Sequence, residues 1–382
     1  MTVSRRSFSA ALSAGLAGPG LIGRSFAQGA TLKIGMCSPV TGPAAESGRY
    51  AQIGARLAID AVNKAGGVLG KQVELIVEDD QTTNPGIVLA FSKLAAQQDI
   101  VAFVGSIRST QTHAMAPDVL KVGKPVMIGG TDPALTRMGN PWIFRFRPND
   151  LYSGSVIAEY GTKTLGKKKW AIVHSTDAFG TAGGKALSAA IAKLDGASVV
   201  LDQGYANQSQ DFTPVVLAVK QSGADVLGSY FTFENDLGVF ARQLRQLGVT
   251  IPYVGSPSIT NVTALKLAGP ALYGTFGVAD YAEESSDAAR AFGKAYREVA
   301  KVAPDNQSSW TYDALTILCM AINKAGKTDP QAIREAILSI KKHQGAEGEY
   351  NFDANGDGLH GYNIVRNEKG TIVFDKHIES AI

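Results

Sequence analysis

Short β-branched runs alternate with longer helical patterns along most of this chain, and near its middle the alternation starts again. Runs of this kind need cover on both faces, as the strands of a parallel sheet flanked by helices have. Strands are predicted at residues 32–36, 73–77, 100–104, 126–128 and 143–146, then at 170–173, 198–201, 226–230, 253–254 and 276–278. Between them, residues 48–65 place Ile53, Leu57, Ala61 and Val62 on one helical face, and Gly66-Gly67 ends that helix. Asn84-Pro85 and Thr213-Pro214 read as capping residues followed by proline in the first helical turn. Further helices are predicted at 181–194 and 236–247, a helical block at 287–340, and short strands with polar turns at 350–378. Two successive series predict an α/β chain of two doubly wound parallel-sheet lobes.

Polar joints near Arg147-Pro148-Asn149-Asp150, Asp280-Tyr281 and Glu349-Tyr350 divide the series. They predict one lobe from residues 28–148 plus 280–349 and a second from 149–279 plus 350–382, after a leader at 1–27. Three crossings leave a hinged cleft. In open α/β sheets ligands sit beyond the carboxyl ends of strands. The loops after Met36, Val104, Ile128, Val173, Tyr230 and Val254 are therefore expected to line it.

The leader carries a twin-arginine sequence, Ser4-Arg5-Arg6-Ser7-Phe8, an apolar stretch at 10–22, and the small-x-small site Ser25-Phe26-Ala27. The stretch is about half of the ~20 residues a spanning helix needs. Cleavage after Ala27 is expected, with export of a mature chain beginning at Gln28. Of the 37 Lys and Arg residues, Arg5, Arg6 and Arg24 leave with the leader, so 34 remain against 34 Asp and Glu. A neutral chain is a poor match for nucleic acid or an anionic membrane surface. Cys37 and Cys319 are the only cysteines; export permits a disulfide, and two buried thiols fit as well.

Several motifs lead nowhere. Gly18 to Gly23 fits a dinucleotide pattern in letters but lies in the leader and follows no strand. Gly180 to Lys185 falls one residue short of a phosphate-binding loop, and Ala186 stands where a hydroxyl is needed. Asp353 to Gly358 begins like a calcium loop, but Ile364 occupies the position of the bidentate glutamate, so a tight turn is expected. His113, His174, His343, His360 and His377 have no metal-ligand spacing. No nucleophile elbow or Cys/His arrangement is legible, so neither an enzyme nor a cofactor is expected.

The segment Thr41-Gly42-Pro43-Ala44-Ala45-Glu46-Ser47-Gly48, continuing to Ala65-Gly66-Gly67-Val68-Leu69-Gly70, resembles the start of the leucine/isoleucine/valine-binding family. These are type I periplasmic solute-binding proteins of ABC importers. The likeness continues through Asp79-Asp80, Phe103-Val104-Gly105, Ser109-Thr110, Pro125 to Ile128 and Thr131-Asp132-Pro133. It resumes at Ile172-Val173-His174, Phe179-Gly180, Asp211-Phe212, Val254-Gly255 and Trp310 to Leu315. It implies a Venus-flytrap fold closing on one small solute, a monomer that partners an ABC permease.

Ser109 and Thr110 follow a strand and open a helix, where hydroxyls and free backbone N–H groups can face an anion. Gly129, Gly130 and Thr131 end the next strand; the glycines permit close backbone approach and Thr131 adds a hydroxyl. The resemblance implies that such positions hold a carboxylate and, in amino-acid binders, an ammonium. Ser47, Phe179, Tyr230, Phe233 and Pro257 complete the expected lining. Amino-acid binders of the family carry an acid after the strand at Val254-Gly255, and here Ser256-Pro257-Ser258 has none. With Phe179 where tyrosine is common, and Tyr230, Phe231 and Phe233 crowding another strand end, the expectation leans toward an aromatic or aliphatic carboxylate without an α-ammonium. Asp132 is the alternative acid, and Arg108 an additional cation. A ligand-sensing receptor of the same fold is the other function that fits.

Replacing Arg5 and Arg6 together with lysine should block export and leave precursor in the cytoplasm, read by fractionation and N-terminal sequencing. Undiminished export of a chain starting at Gln28 would assign it to the general secretory route.

Overall fold

The computed structural model describes residues 31–379; the leader, its arginines and the cleavage site lie outside the described residues. The first series folds as β1 (Leu32–Ser38), α1 (Ala45–Lys64), β2 (Val73–Asp79), α2 (Asn84–Ala95), β3 (Ile100–Val104), α3 (Ser109–Val122), β4 (Val126–Ile128) and β5 (Ile143–Arg145). Its five strands pair in parallel in the order β2-β1-β3-β4-β5. The chain leaves by α4 (Asp150–Glu159) and enters β6 (Lys169–Ser175), α5 (Ala178–Ile191), β7 (Ser198–Tyr205), α6 (Thr213–Gln221), β8 (Val226–Tyr230), α7 (Glu234–Gln246), β9 (Tyr253–Gly255), α8 (Val262–Ala268) and β10 (Phe276–Ala279).

Three helices follow, α9 (Asp287–Ala300), α10 (Asn306–Ala325) and α11 (Pro330–Leu338), then the two-residue strands β11 (His343–Gln344) and β12 (Glu349–Tyr350). A last hairpin, β13 (Gly361–Glu368) and β14 (Thr371–Glu379), completes a seven-stranded sheet in the order β14-β13-β10-β9-β8-β6-β7. Strands β6 to β10 pair in parallel and the hairpin in antiparallel. Two α/β lobes with parallel sheets result, as the alternation implies.

Local rules explain most boundaries. Thr83 caps α2 by accepting from Gly86 N at 2.9 Å, one residue before the Asn84 expected from sequence, with Pro85 in the first turn. Asp329 caps α11 in the same way, accepting from Ala332 N at 2.9 Å with Pro330 next. Short helices α4 and α8 lack a long apolar stripe and went unread. The Asp353–Asp357 segment forms the expected tight turn, with Asp353 Oδ1 accepting from Asn355 N and Asp357 N at 2.9 Å each.

Three segments run between the sheets, and they are tied to one another. Arg147 Nη2 donates to Asp280 Oδ2 at 2.8 Å, Asn363 Nδ2 to Asp280 O at 2.8 Å, and Tyr362 OH to Pro148 O at 2.8 Å. Tyr350, Phe352 and Leu359 pack in the cluster that holds Ile34 and Leu318, beside the first sheet. The stretch from 350 to 359 thus lies with the first lobe rather than the second, to which the sequence assigned it, because its large apolar side chains are covered there, Tyr350 and Phe352 packing on Phe146. Cys37 and Cys319 are buried in separate clusters and both are free thiols.

Helices α1 and α10 cross closely because Gly54 has no side chain: a Cβ there would fall 2.1 Å from Ser308 O. Gly54→Ala should push the helices apart and cost about 1–3 kcal/mol of stability. Urea denaturation followed by circular dichroism checks this; an unchanged midpoint would show that α10 can yield.

Candidate functional site

The segments after Val104, Val173, Tyr230 and Val254 line the cleft as expected, those after Met36 and Ile128 do not, and most of the side chains brought together differ from those expected. The cleft encloses about 470 Å³, part of it open to solvent, and is lined by Ile107, Arg108 and Arg147 from the first lobe and by Phe179, Phe231, Thr232, Glu234, Ser258 and Asn261 from the second. Asn306 and Gln307, from the first turn of α10, close one side.

Arg108 is the N-cap residue of α3 and is 7% exposed. Its guanidinium lies 5.3 Å from the centroid of Phe233, a cation–π contact. Among the described residues its buried Nε and Nη1 have no hydrogen-bond partner. A buried charged donor without a partner is costly. Nε and Nη1 lie on opposite edges of the guanidinium, and either can pair with a carboxylate beside Nη2, on which no hydrogen bond falls among the described residues.

Glu234 faces the same cleft at 7% exposure. Its Oε1 accepts from Ser47 Oγ at 2.8 Å, Asn261 Nδ2 at 3.3 Å and Gln307 Nε2 at 3.4 Å. Ser47 and Gln307 belong to the first lobe's helices, so this carboxylate draws the lobes together. Among the described residues no hydrogen bond falls on Oε2. The cleft therefore does contain an acid, contrary to the reading of Ser256-Pro257-Ser258; it comes from the segment after β8 instead of the one after β9. Two further hydrogen bonds cross between the lobes, Ala178 N to Thr110 Oγ1 at 3.2 Å and Val262 N to Asp305 Oδ2 at 3.1 Å.

Other expected positions lie close by with different occupations. Ser109 Oγ accepts from Asp132 N at 3.1 Å, and the Thr131 hydroxyl donates to Asp150 Oδ2 at 3.0 Å. Neither lines the cleft; Ser109 and Thr110 border a neighbouring hollow with Phe179 and Phe233. Gly129 and Gly130 serve close approach: a Cβ on Gly129 would meet the Trp310 indole at 2.9 Å, and one on Gly130 would meet Leu135 at 2.7 Å. Pro257 is buried and starts a 3₁₀ turn, Pro257–Thr260, outside the lining. Tyr230 requires correction as a wall of the cleft. It is fully buried among Trp170, Leu187 and Val254, and its hydroxyl pairs with Ser153 Oγ at 2.8 Å, because its strand face points into the lobe core. Asp132 likewise offers no free acid: it pairs with His113 Nε2 at 2.6 Å and caps the turn after it through Ala134 N at 3.0 Å.

Glu234 had a readable signal, an acid opening a helix just past a strand end. Asn306 and Gln307 had none, because they lie far along the chain from every strand that forms the cleft. Arg147 forms the hinge side: Nη1 donates to Gly129 O at 3.0 Å while Nη2 holds Asp280. Burial opposes its charge most strongly, yet Asp280, Tyr362 and Glu347 together outweigh that and raise its pKa above the ordinary arginine value. Among the described residues no group of three or more His, Cys, Asp or Glu side chains is placed to hold a metal, and no helix is long and apolar enough to cross a membrane.

Two α/β lobes joined by three tied segments around a cleft with opposed charges define a hinged solute-binding protein. The family model described as periplasmic binding protein matches residues 31–371, so the chain belongs to that family. It is 28% identical over 330 residues to the leucine-, isoleucine-, valine-, threonine-, and alanine-binding protein of Pseudomonas aeruginosa, covering 86% of this chain and 87% of that one. It is 29% identical over 358 residues to the Leu/Ile/Val-binding protein homolog 3 of Brucella melitensis, with coverages of 92% and 95%. A leucine-binding protein from Thermotoga maritima superposes with a TM-score of 0.85 at 24% identity, over 91% of this chain and 99% of that one. Members of this family are solute-binding proteins that bind small molecules, not enzymes. Membership implies a periplasmic or extracellular location.

Burial raises the Asp150 carboxyl to about 7 against the opposing hydrogen bond from Thr131 and the charges of Arg147 and Arg145. An unfolded aspartate titrates near ~3.9, so between these values the native state holds the extra proton. Asp150 therefore favours the fold below about pH 4, and this contribution declines as pH rises to about 7. The stability difference between parent and Asp150→Asn should shrink or reverse by roughly 1 kcal/mol or more between about pH 4.5 and about pH 7.5. Urea titrations at both values test this; a constant difference would mean the carboxylate is charged throughout.

Proposed function

We propose that this protein is the periplasmic substrate-binding component of a branched-chain-amino-acid-type ABC importer, exported by the twin-arginine route and monomeric, and that it closes on a small carboxylate-bearing solute. The observation that carries the reading is the pair of unpartnered, buried guanidinium nitrogens of Arg108 in the cleft. A carboxylate there gains charge-assisted hydrogen bonds that water would otherwise have to supply. Contacts to both lobes favour the closed arrangement over an open one. The moving units are residues 31–148 with 280–359, and 149–279 with 360–379, hinged where Arg147, Asp280 and Asn363 meet.

The solute is a small apolar α-amino acid. Glu234 supports this, since a buried ammonium needs a paired acid and its Oε2 is free to serve. Ile107, Phe179 and Phe231 offer apolar contact to a side chain. The name of the Pseudomonas aeruginosa relative points the same way. A second reading, a carboxylic acid without the amine, is favoured by one observation: Oε1 of Glu234 already accepts three hydrogen bonds without any ligand.

Calorimetry with leucine, isoleucine and phenylalanine beside their oxo-acids separates the two. Arg108→Gln should weaken every binder by about 1.5–3 kcal/mol, whereas Glu234→Gln should weaken the amino acids alone. If Arg108→Gln binds like the parent, the carboxylate placement fails. If oxo-acids bind as well as amino acids and Glu234→Gln changes neither, the amine-free reading replaces this one.

A further inference from the structure

A second, larger hollow of about 1220 Å³, open to solvent, lies beside the cleft. Val262, Leu265, Tyr273, Tyr281 and Ile372 give it an apolar interior, with Lys266 and Arg297 among its charged lining. The two spaces have one lining residue in common, Asn306. Nothing else on the cleft side reaches both.

We propose that Asn306 is the end wall of the ligand cleft and sets the length of solute that the protein accepts. The inference rests on the reading of Arg108 as the carboxylate anchor. Asn306 is held firmly for this role. It is the first residue of α10, directly after Asp305, whose side chain accepts from Gln307 N at 3.0 Å and whose backbone N–H donates to Ser308 Oγ at 3.1 Å. Asp305 Oδ2 also accepts from Val262 N of the other lobe, so closure brings the hollow's wall up against this turn. The close crossing of Gly54 with Ser308 prevents the turn from backing away.

The Asn306 carboxamide is 6% exposed, and its Oδ1 is buried without a partner among the described residues. A residue that only capped or braced the helix would use that oxygen. Here the side chain fills the gap between two spaces, and a ligand growing away from Arg108 meets it. With the amide removed, an unbranched tail gains an apolar channel into the hollow.

The test is a chain-length series: norvaline, norleucine and their eight- and ten-carbon homologues, with the straight-chain carboxylic acids of the same lengths, measured by calorimetry. The parent should lose affinity steeply beyond norleucine. Asn306→Ala and Asn306→Gly should bind the eight-carbon homologue better relative to norleucine by about tenfold or more, as removing a steric limit in an apolar pocket does. Asn306→Leu keeps the bulk and removes the polarity, so it should keep the parent's limit. A limit unchanged in the alanine and glycine variants overturns the wall, and so does a leucine variant that behaves like alanine. If neither series binds the parent, the carboxylate reading fails and this inference with it. Binding of short members with an unchanged limit removes the wall alone.

Discussion

The ion pair between Arg147 and Asp280 ties together two of the three segments that connect the lobes. One guanidinium reaches the end of β4 through Gly129 O, the second connecting segment through Asp280, and the hinge side of the cleft. Asp280 in turn takes Asn363 of the third segment through its backbone carbonyl. Both partners are buried, so breaking either would leave a charge without its counter-ion, which costs far more than a surface pair would. The pair therefore holds the connecting segments together at one buried point beside the cleft.

Around it the cleft is polar where the lobes meet and apolar along its walls. Glu234 receives hydrogen bonds from both lobes, and Arg108 sits over Phe233, so each charge is oriented by neighbours that are themselves buried. Opposed charges in a low-dielectric cleft interact more strongly than they would in water. A solute able to answer both is favoured over one that answers only one, because an unanswered buried charge is penalised.

The first turn of α10 completes the cleft, and its Asn306 also lines the hollow beside it. Its capping box fixes Asn306 and Gln307 in space, and a glycine in α1 lets the helix come near enough to matter. The same turn receives Val262 N from the opposite lobe. One helix start thus contributes to cleft shape and lobe contact together.

The alternation of β-branched runs and helical patterns by itself determined the α/β class and the two lobes, because strand burial and helix amphipathicity are local properties. The helix start at Pro214 was legible for the same reason, since proline acts within one turn, but Thr213 does not cap it: it lies inside α6, and Phe212 precedes the helix without a side-chain cap. The site was legible only in its loops. Arg108, Phe179 and Phe233 could be named as lying at strand ends, but Tyr230 looked equivalent until the register of β8 against β6 and β9 turned it into the core. Tertiary contact also engaged the hydroxyls: Thr131 donates its own to Asp150, and Ser109 Oγ accepts from the backbone N–H of Asp132. Glu234 meets Ser47 across 187 residues of sequence, and Gln307 across 73. No spacing rule joins positions so far apart; only the closing of one lobe on the other brings their side chains within hydrogen-bond reach.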